Sequence, residues 1–167
     1  LNINQDWLQA YSAKGTESKE LVQIQLIETR EEERIKASIQ SKAKITNIIS
    51  KKVKHIYEEN PYPRYRYTNY TDKSSAKYIS EIIKFESTKK NLEFSEEMTN
   101  YQARPKVLIA GCGTGRQVIS TSHYKNAQIT AIDLSDSSLA YAKRKTQEYK
   151  MNNVCFRRMD ILDLTKN

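Results

Sequence analysis

The sequence predicts a parallel α/β fold, and three observations predict it. Strand-length apolar runs occur at Lys106–Ala110, Gln128–Asp133 and 153–158; helical patterns fill 115–122 and 135–149 between them; and a glycine-rich turn joins the first strand to the first of these helices. Strands that alternate with helices at this spacing are joined by right-handed crossovers and lie parallel.

Upstream, the pattern is mainly helical. Residues 4–15 read as a short helix with Asn4 as its cap, Trp7, Leu8 and Tyr11 on one face, and Gly15 as its stop. In residues 21–27, Leu21, Val22, Ile24, Leu26 and Ile27 are too dense to separate a strand from a buried connector. One long helix is expected over 31–57, where Ile35, Ile39, Ala43, Ile49, Val53, Ile56 and Tyr57 recur at spacings of mostly three or four. Acidic Glu31 to Glu33 at its start and Lys51, Lys52 and Lys54 near its end suit the helix dipole, and Pro61 and Pro63 stop it. A shorter amphipathic helix is expected over 75–85, with Ile79, Ile82 and Ile83 on one side, and 86–104 reads as a polar connector. The expected division is therefore a helical accessory or cap segment, 1–104, and an incomplete sheet unit, 105–167. Both ends look cut, so the sheet is expected to be truncated after about three strands with one edge uncovered, and the 167 residues alone to be poorly stable and inactive.

Bulk composition narrows the function classes. Hydrophobic residues make up 38% and charged ones 29%, with four Gly and three Pro, which suits a soluble globular chain rather than a disordered one. No apolar run approaches the roughly 20 residues that span a bilayer, and no basic start followed by an apolar stretch marks a signal peptide, so a cytoplasmic location without membrane partners is expected. Cys112 and Cys155 are not spaced for ligation with His55 or His123; no metal site is expected, and the two thiols are expected to be reduced. The net charge of +8 is spread over both parts without a dense basic tract, so nucleic acid is a possible partner that the pattern does not favour.

The chemistry concentrates at Val107-Leu-Ile-Ala-Gly-Cys-Gly-Thr-Gly115. A buried strand delivers the chain to glycines at alternate positions, so the backbone can turn tightly and let a polar ligand approach, with free amides able to hold a carboxylate. Asp133 ends the next strand, 22 residues beyond Gly111, where a parallel sheet puts it beside the first turn and in reach of both hydroxyls of a ribose. Asp160 and Ile161 follow the third strand at the same edge, within reach of a purine amino group and ring face, and Leu134 can cover the other face; Asp163 reads as a turn residue. The dinucleotide pattern needs a glycine where Arg116 stands, which disfavours NAD or FAD.

With those residues in view, residues 106–164 resemble the first half of class I S-adenosylmethionine-dependent methyltransferases, through "VLIAGCGTG", "AIDLS", "SLAYAKRK" and "RRMDILDL". The resemblance implies a Rossmann-like sheet with S-adenosyl-L-methionine as cofactor and an unknown methyl acceptor, either a small molecule or a protein. It also implies that Gly111, Cys112, Gly113, Thr114 and Gly115 line the methionine end, Asp133 the ribose hydroxyls, and Leu134, Asp160 and Ile161 the adenine. "YEENPYPRY", with Tyr65 where Trp is usual, together with "SLAYAKRKT" is similar to bacterial methyltransferase domains often attached to tetratricopeptide repeats, none of which is visible here. Asn60-Pro-Tyr-Pro63 partly resembles the loop that grips a target nitrogen in amino-methylating enzymes, but it precedes the glycine turn; a helix stop that folds Tyr62 and Arg64 over the pocket as a cap, or a plain stop and turn, fits the position better. Methyl transfer by in-line displacement needs no protein nucleophile, and none with convincing partners occurs. Two other classes stay open at this point: a nucleotide-binding oxidoreductase, and a non-catalytic nucleotide- or RNA-binding module.

Overall fold

The computed structural model describes residues 15–41, 44–90, 92–99 and 104–164. The helix expected over 4–15 falls outside them apart from Gly15, which opens a helix rather than closing one.

That helix, α1 (Gly15–Val22), runs through a π-helical stretch, Gln23–Glu28, into α2 (Thr29–Ala37). Residues 21–27 are thus helical and neither strand nor connector. The dense apolar run misleads because its side chains do not share one environment: Val22 is buried while Leu21 and Ile27 are exposed. The single long helix expected over 31–57 is broken. Ser38 ends α2 by donating its hydroxyl to Ile35 O at 2.7 Å, and a two-residue strand, β1 (Gln40–Ser41), follows. Helix α3 (Ile48–Glu59) then starts afresh at Asn47, whose side chain accepts from the amides of Ile49 and Ser50 at 2.8 and 3.1 Å. The lysines assigned to the end of a long helix therefore lie near the start of α3. Its apolar residues Ile48, Ile49, Val53 and Ile56 are exposed.

Past the proline stop, an extended strap without regular structure leads to α4 (Ile79–Lys90), which starts and ends later than the expected 75–85; within the expected connector, α5 (Glu96–Thr99) forms a further turn of helix.

The second half follows the expected grammar: β2 (Lys106–Ala110), α6 (Arg116–Ser120) with a 3-10 turn Thr121–His123, β3 (Gln128–Asp133), α7 (Asp136–Glu148), β4 (Val154–Arg158) and a final 3-10 turn, Ile161–Asp163. The sheet has four strands in the order β1-β4-β3-β2, all parallel, a Rossmann-like arrangement. The strand beyond the expected three, β1, comes from the N-terminal segment and covers the outer edge of β4 in the register Gln40 to Arg157 and Ser41 to Arg158. The core lies between the sheet and its helices: Ile109, Val118, Ile119, Ile129, Ala131, Leu139, Ala142 and Phe156 pack together. Among the described residues no helix is long and apolar enough to cross a membrane.

Helix α7 is the structural hub. Ser135 caps its start by accepting from Ser138 N at 3.0 Å, and Lys150, at φ 54°, closes its end while Met151 N donates to Thr146 O at 2.9 Å. Its outer side packs on α2 through a buried guanidinium: Arg144 bonds Glu28 at 3.0 Å and Glu32 at 2.9 Å, and also meets Glu148. Its first turn receives a carboxylate from α3, since Glu58 accepts from Asp136 N at 2.9 Å, which suits the positive end of the helix dipole.

Candidate functional site

At the carboxyl ends of β2 and β3 the chain forms a cavity of about 430 Å³. Its floor is the glycine turn. Gly111, Gly113 and Gly115 all have positive φ, at 71°, 51° and 85°, a region that side-chain-bearing residues rarely adopt. A side chain on Gly111 or Gly113 would project into empty space, and both residues line the cavity. Gly115 serves another purpose. A Cβ there would lie 2.6 Å from the Cβ of Ala142 and 3.0 Å from its Cα, so its bareness lets α7 pack against the turn.

The turn is largely satisfied from within. Gly111 N and Cys112 N both donate to Ile132 O at 2.9 Å, Gly115 N donates to Cys112 O at 2.9 Å, and Gly113 N donates to Asp133 Oδ2 at 2.8 Å. These four amides are engaged within the protein and are not free to grip a carboxylate. The charged donor at this wall is the Arg116 guanidinium, whose residue lines the cavity and whose Cζ lies 5.7 Å from the centre of the Tyr65 ring.

Asp133 stands beside the turn, as its position at the end of β3 requires. One oxygen holds Gly113 N; the other accepts from Ser135 N at 2.9 Å. Because each carboxylate oxygen has a second acceptor site, the group can be fixed by backbone and still receive hydrogen bonds from a ligand. Leu134 and Ile161 also line the cavity. Asp160 is placed differently from the expectation: it is 3% exposed, is not among the lining residues, and caps the last 3-10 turn by accepting from Leu162 N at 3.0 Å. Cys112 lines the wall, but burial, reinforced by the Asp133 charge, pushes its thiol up, so it is a neutral thiol and no nucleophile at neutral pH.

The opposite wall comes from the N-terminal segment: Val53 and Tyr57 of α3, and Tyr62 and Pro63 of the strap, which are joined by a cis peptide. The strap's backbone is held by side chains. Tyr141 OH accepts from Tyr65 N at 2.7 Å and donates to Tyr65 O at 2.6 Å, as a neighbouring strand would. Tyr65 OH donates to Thr114 O at 3.0 Å, and Thr114 Oγ1 donates to Pro63 O at 2.7 Å, which ties strap and glycine turn together. Burial, with Tyr141 and Tyr149 nearby, pushes the Tyr65 phenol up, so it stays protonated as this donor. Arg64, paired with Tyr62 as a candidate cap, is turned elsewhere: it bonds Glu32 at 2.9 Å and lies 4.6 Å from the centre of the Tyr141 ring.

Sequence reasoning missed Val53, Tyr57, Pro63, Arg116, Gln117, Ser138 and Met159 on this cavity. For Val53 and Tyr57 the signal was present, since their spacing marked an apolar helix face, but nothing in the periodicity told what that face meets. A slightly larger cavity, about 480 Å³, lies at the opposite, amino edge of the sheet among Tyr70, Lys73, Arg104, Lys125 and Asn126; it holds none of the expected site residues. Among the described residues no group of three or more His, Cys, Asp or Glu could hold a metal ion.

Residues 107–167 match a family model described as a methyltransferase domain. An uncharacterized protein of Synechococcus sp. is 35% identical over 65 residues, 38% of this chain and 16% of that protein. Among solved structures, the chain is similar to geranyl diphosphate C-methyltransferase from Streptomyces coelicolor A3(2), in complex with Mg2+, geranyl diphosphate and S-adenosyl-L-homocysteine, at 15% identity and a TM-score of 0.43, covering 74% of this chain and 51% of that one. It is also similar to the cyclase SpnF, at 18% identity and a TM-score of 0.41, covering 70% and 45%. The chain thus spans about half the length of these solved proteins and much less of the Synechococcus relative.

Proposed function

We propose that the carboxyl-edge cavity binds S-adenosyl-L-methionine and that this chain carries the cofactor-binding part of a class I methyltransferase. The observation that carries the proposal is the placement of Asp133, locked by two backbone amides at the wall of the cavity beside two glycines whose missing side chains leave it open. S-adenosyl-L-methionine supplies a methyl group already activated on a sulfonium sulfur. The chain's residues have only to hold and desolvate it.

Asp133 would accept from the ribose hydroxyls, and Leu134 and Ile161 would offer apolar surface to the purine. With the amides of Gly111, Cys112, Gly113 and Gly115 engaged, Arg116 is the residue that would hold the amino-acid carboxylate. Tyr57, Tyr62 and Val53 would keep water from one side and form the rim over which an acceptor approaches. Together these residues fit the cofactor without Asp160, which would act through the turn it caps, and without Arg64, which would brace the strap.

Isothermal titration with S-adenosyl-L-homocysteine tests the proposal. Saturable one-to-one binding is expected, with Asp133→Asn weakening it about tenfold or more, equivalent to ~1.4 kcal/mol. A folded protein that gives no heat with this ligand, or that binds NAD in its place, overturns it.

A further inference from the structure

Three cations gather at the amino-edge cavity, and no Asp or Glu is among the described residues that line it: Lys73 comes from the strap, Arg104 from the approach to β2 and Lys125 from the turn before β3. Elsewhere the chain pairs such cations, Arg64 with Glu32, Arg66 with Glu28, and both Lys54 and Arg158 with Asp136. Here Arg104 makes no ion pair with the described residues, and Lys125 Nζ lies 4.6 Å from the centre of the Tyr78 ring. Lys73 interacts with the charge of Asp72, its neighbour in sequence, but that carboxylate is held by Ser74, whose N–H and hydroxyl donate to Oδ1 at 2.9 and 2.8 Å.

The arrangement is built before any ligand arrives. Lys77 N donates to His123 O at 3.0 Å and Lys125 N to Lys77 O at 2.7 Å, which laces the strap to the turn; Gln128 N donates to Pro105 O at 2.8 Å, which holds the approach to β2 beside them. The lining also includes buried Ala127 and Met151, with Tyr70 and Tyr124 packed against the core. A cleft lined by one sign of charge over apolar walls focuses the potential and attracts counter-ions of the opposite sign. Asn126, Gln128 and Asn152 add side-chain amide donors.

We infer that the amino-edge cavity is a second ligand site and that it takes a small phosphate monoester. A monoester carries about two negative charges at neutral pH and offers several acceptor oxygens, so cations from three segments can share it. A volume of about 480 Å³ suits a small molecule, and cations confined to one concavity differ from the long basic groove that tracks a nucleic-acid strand. The site lies at the opposite end of the sheet from the cofactor cavity and does not rest on the cofactor reading.

Isothermal titration of the full chain with ribose 5-phosphate, at an ionic strength of ~0.15 M, tests the inference. Saturable one-to-one binding is expected, with no heat from ribose and no competition from S-adenosyl-L-homocysteine. Lys73→Gln with Arg104→Gln should weaken binding about tenfold or more, the scale of lost charge-assisted hydrogen bonds. Lys51→Gln with Lys52→Gln, exposed on α3 and removing the same charge, should stay within about twofold. Because Lys73 and Arg104 are also exposed, their double variant should keep or raise the ligand-free melting temperature.

A folded wild type that gives no saturable heat with ribose 5-phosphate overturns the inference. Equal losses in the two double variants overturn it as well, since bulk charge would then account for the binding. Competition by S-adenosyl-L-homocysteine moves the anion to the carboxyl edge and overturns the placement. A fall of several degrees in the ligand-free melting temperature of the Lys73, Arg104 variant overturns it too, because the cations would then serve the fold. Single-stranded RNA that binds more tightly than ribose 5-phosphate, and equally in both variants, overturns the small-molecule assignment.

Discussion

The two ends of the sheet hold cavities of nearly equal size, about 430 Å³ at the carboxyl edge and 480 Å³ at the amino edge, yet they differ in how their polar groups are used. At the amino edge the polar groups hold loops: Asn153 Nδ2 donates to Ala127 O at 2.8 Å, and Thr71 N donates to Ser122 Oγ at 2.8 Å. At the carboxyl edge the backbone turns through three positive φ angles, a carboxylate is fixed with acceptor capacity to spare, and a buried hydroxyl is unmatched. Volume alone does not distinguish a site; the state of its polar groups does.

Substitutions can break or sharpen this contrast. The largest effect is expected at Gly115, where a side chain meets the backbone of α7: Gly115→Val should lose about 3 kcal/mol or more in urea unfolding. Asn126→Gly at the amino edge, also at positive φ (60°), should change stability little, because asparagine and glycine both tolerate that conformation. An equal loss at both positions would erase the distinction.

A smaller effect is expected from Tyr141→Phe, which strips the hydroxyl that serves both backbone groups of Tyr65. A loss of ~2 kcal/mol, measured by the urea midpoint, is expected with weaker nucleoside binding, because Tyr65 holds the glycine turn through Thr114. Unchanged binding in a folded Tyr141→Phe protein would show that the strap is not coupled to the cavity.

Smaller still is an acid-dependent term at Glu58. Burial alone would raise its carboxyl, but the hydrogen bond and charge of Lys36, the charge of Lys54 and the Ser137 amide bring it below its ordinary 4.5. A depressed folded value means that the stabilisation is fully present above about pH 4.5 and is lost as pH falls through the lower folded value. Melting temperatures from pH 6 to 3.5 should fall less steeply in Glu58→Gln than in wild type; parallel curves would remove Glu58 from this role. The least effect is expected at the amino edge, where Lys73→Gln with Lys125→Gln should leave S-adenosyl-L-homocysteine titration unchanged.

Legibility in the sequence followed the range of the interactions. Strands β2 and β3 have the expected bounds, and β4 and α7 lie within one residue of theirs, because each is set by its own chemistry: apolar runs, the Ser135 cap and the glycine turn. The break in the helix expected over 31–57 depends on partners far along the chain. Strand β1 forms only because β4 offers an edge more than 100 residues later, and Val53 and Tyr57 of α3 line a cavity whose other walls come from far along the chain, so periodicity could not reveal either. Asn47 was a readable cap that the periodicity obscured. In the site, Asp133 stands beside the turn as expected because a strand end fixes it, whereas Gly115, Asp160 and Arg64 make contacts that only the packed chain defines. Ser138 had no signal: as a letter it is one more serine in a helix start.

The Tyr141 hydroxyl clasp has a practical consequence for anyone who would cut or graft this sequence. A piece beginning near Arg104 would keep every residue matched by the family model and yet lose the strap that closes one wall, the Glu58 carboxylate at the α7 terminus and the strand that covers β4. It would also remove Glu28 and Glu32 and lay bare the face of α7 on which the Arg144 guanidinium meets them. The pattern by which the domain is recognised and the smallest unit that can hold its shape are therefore different lengths of chain.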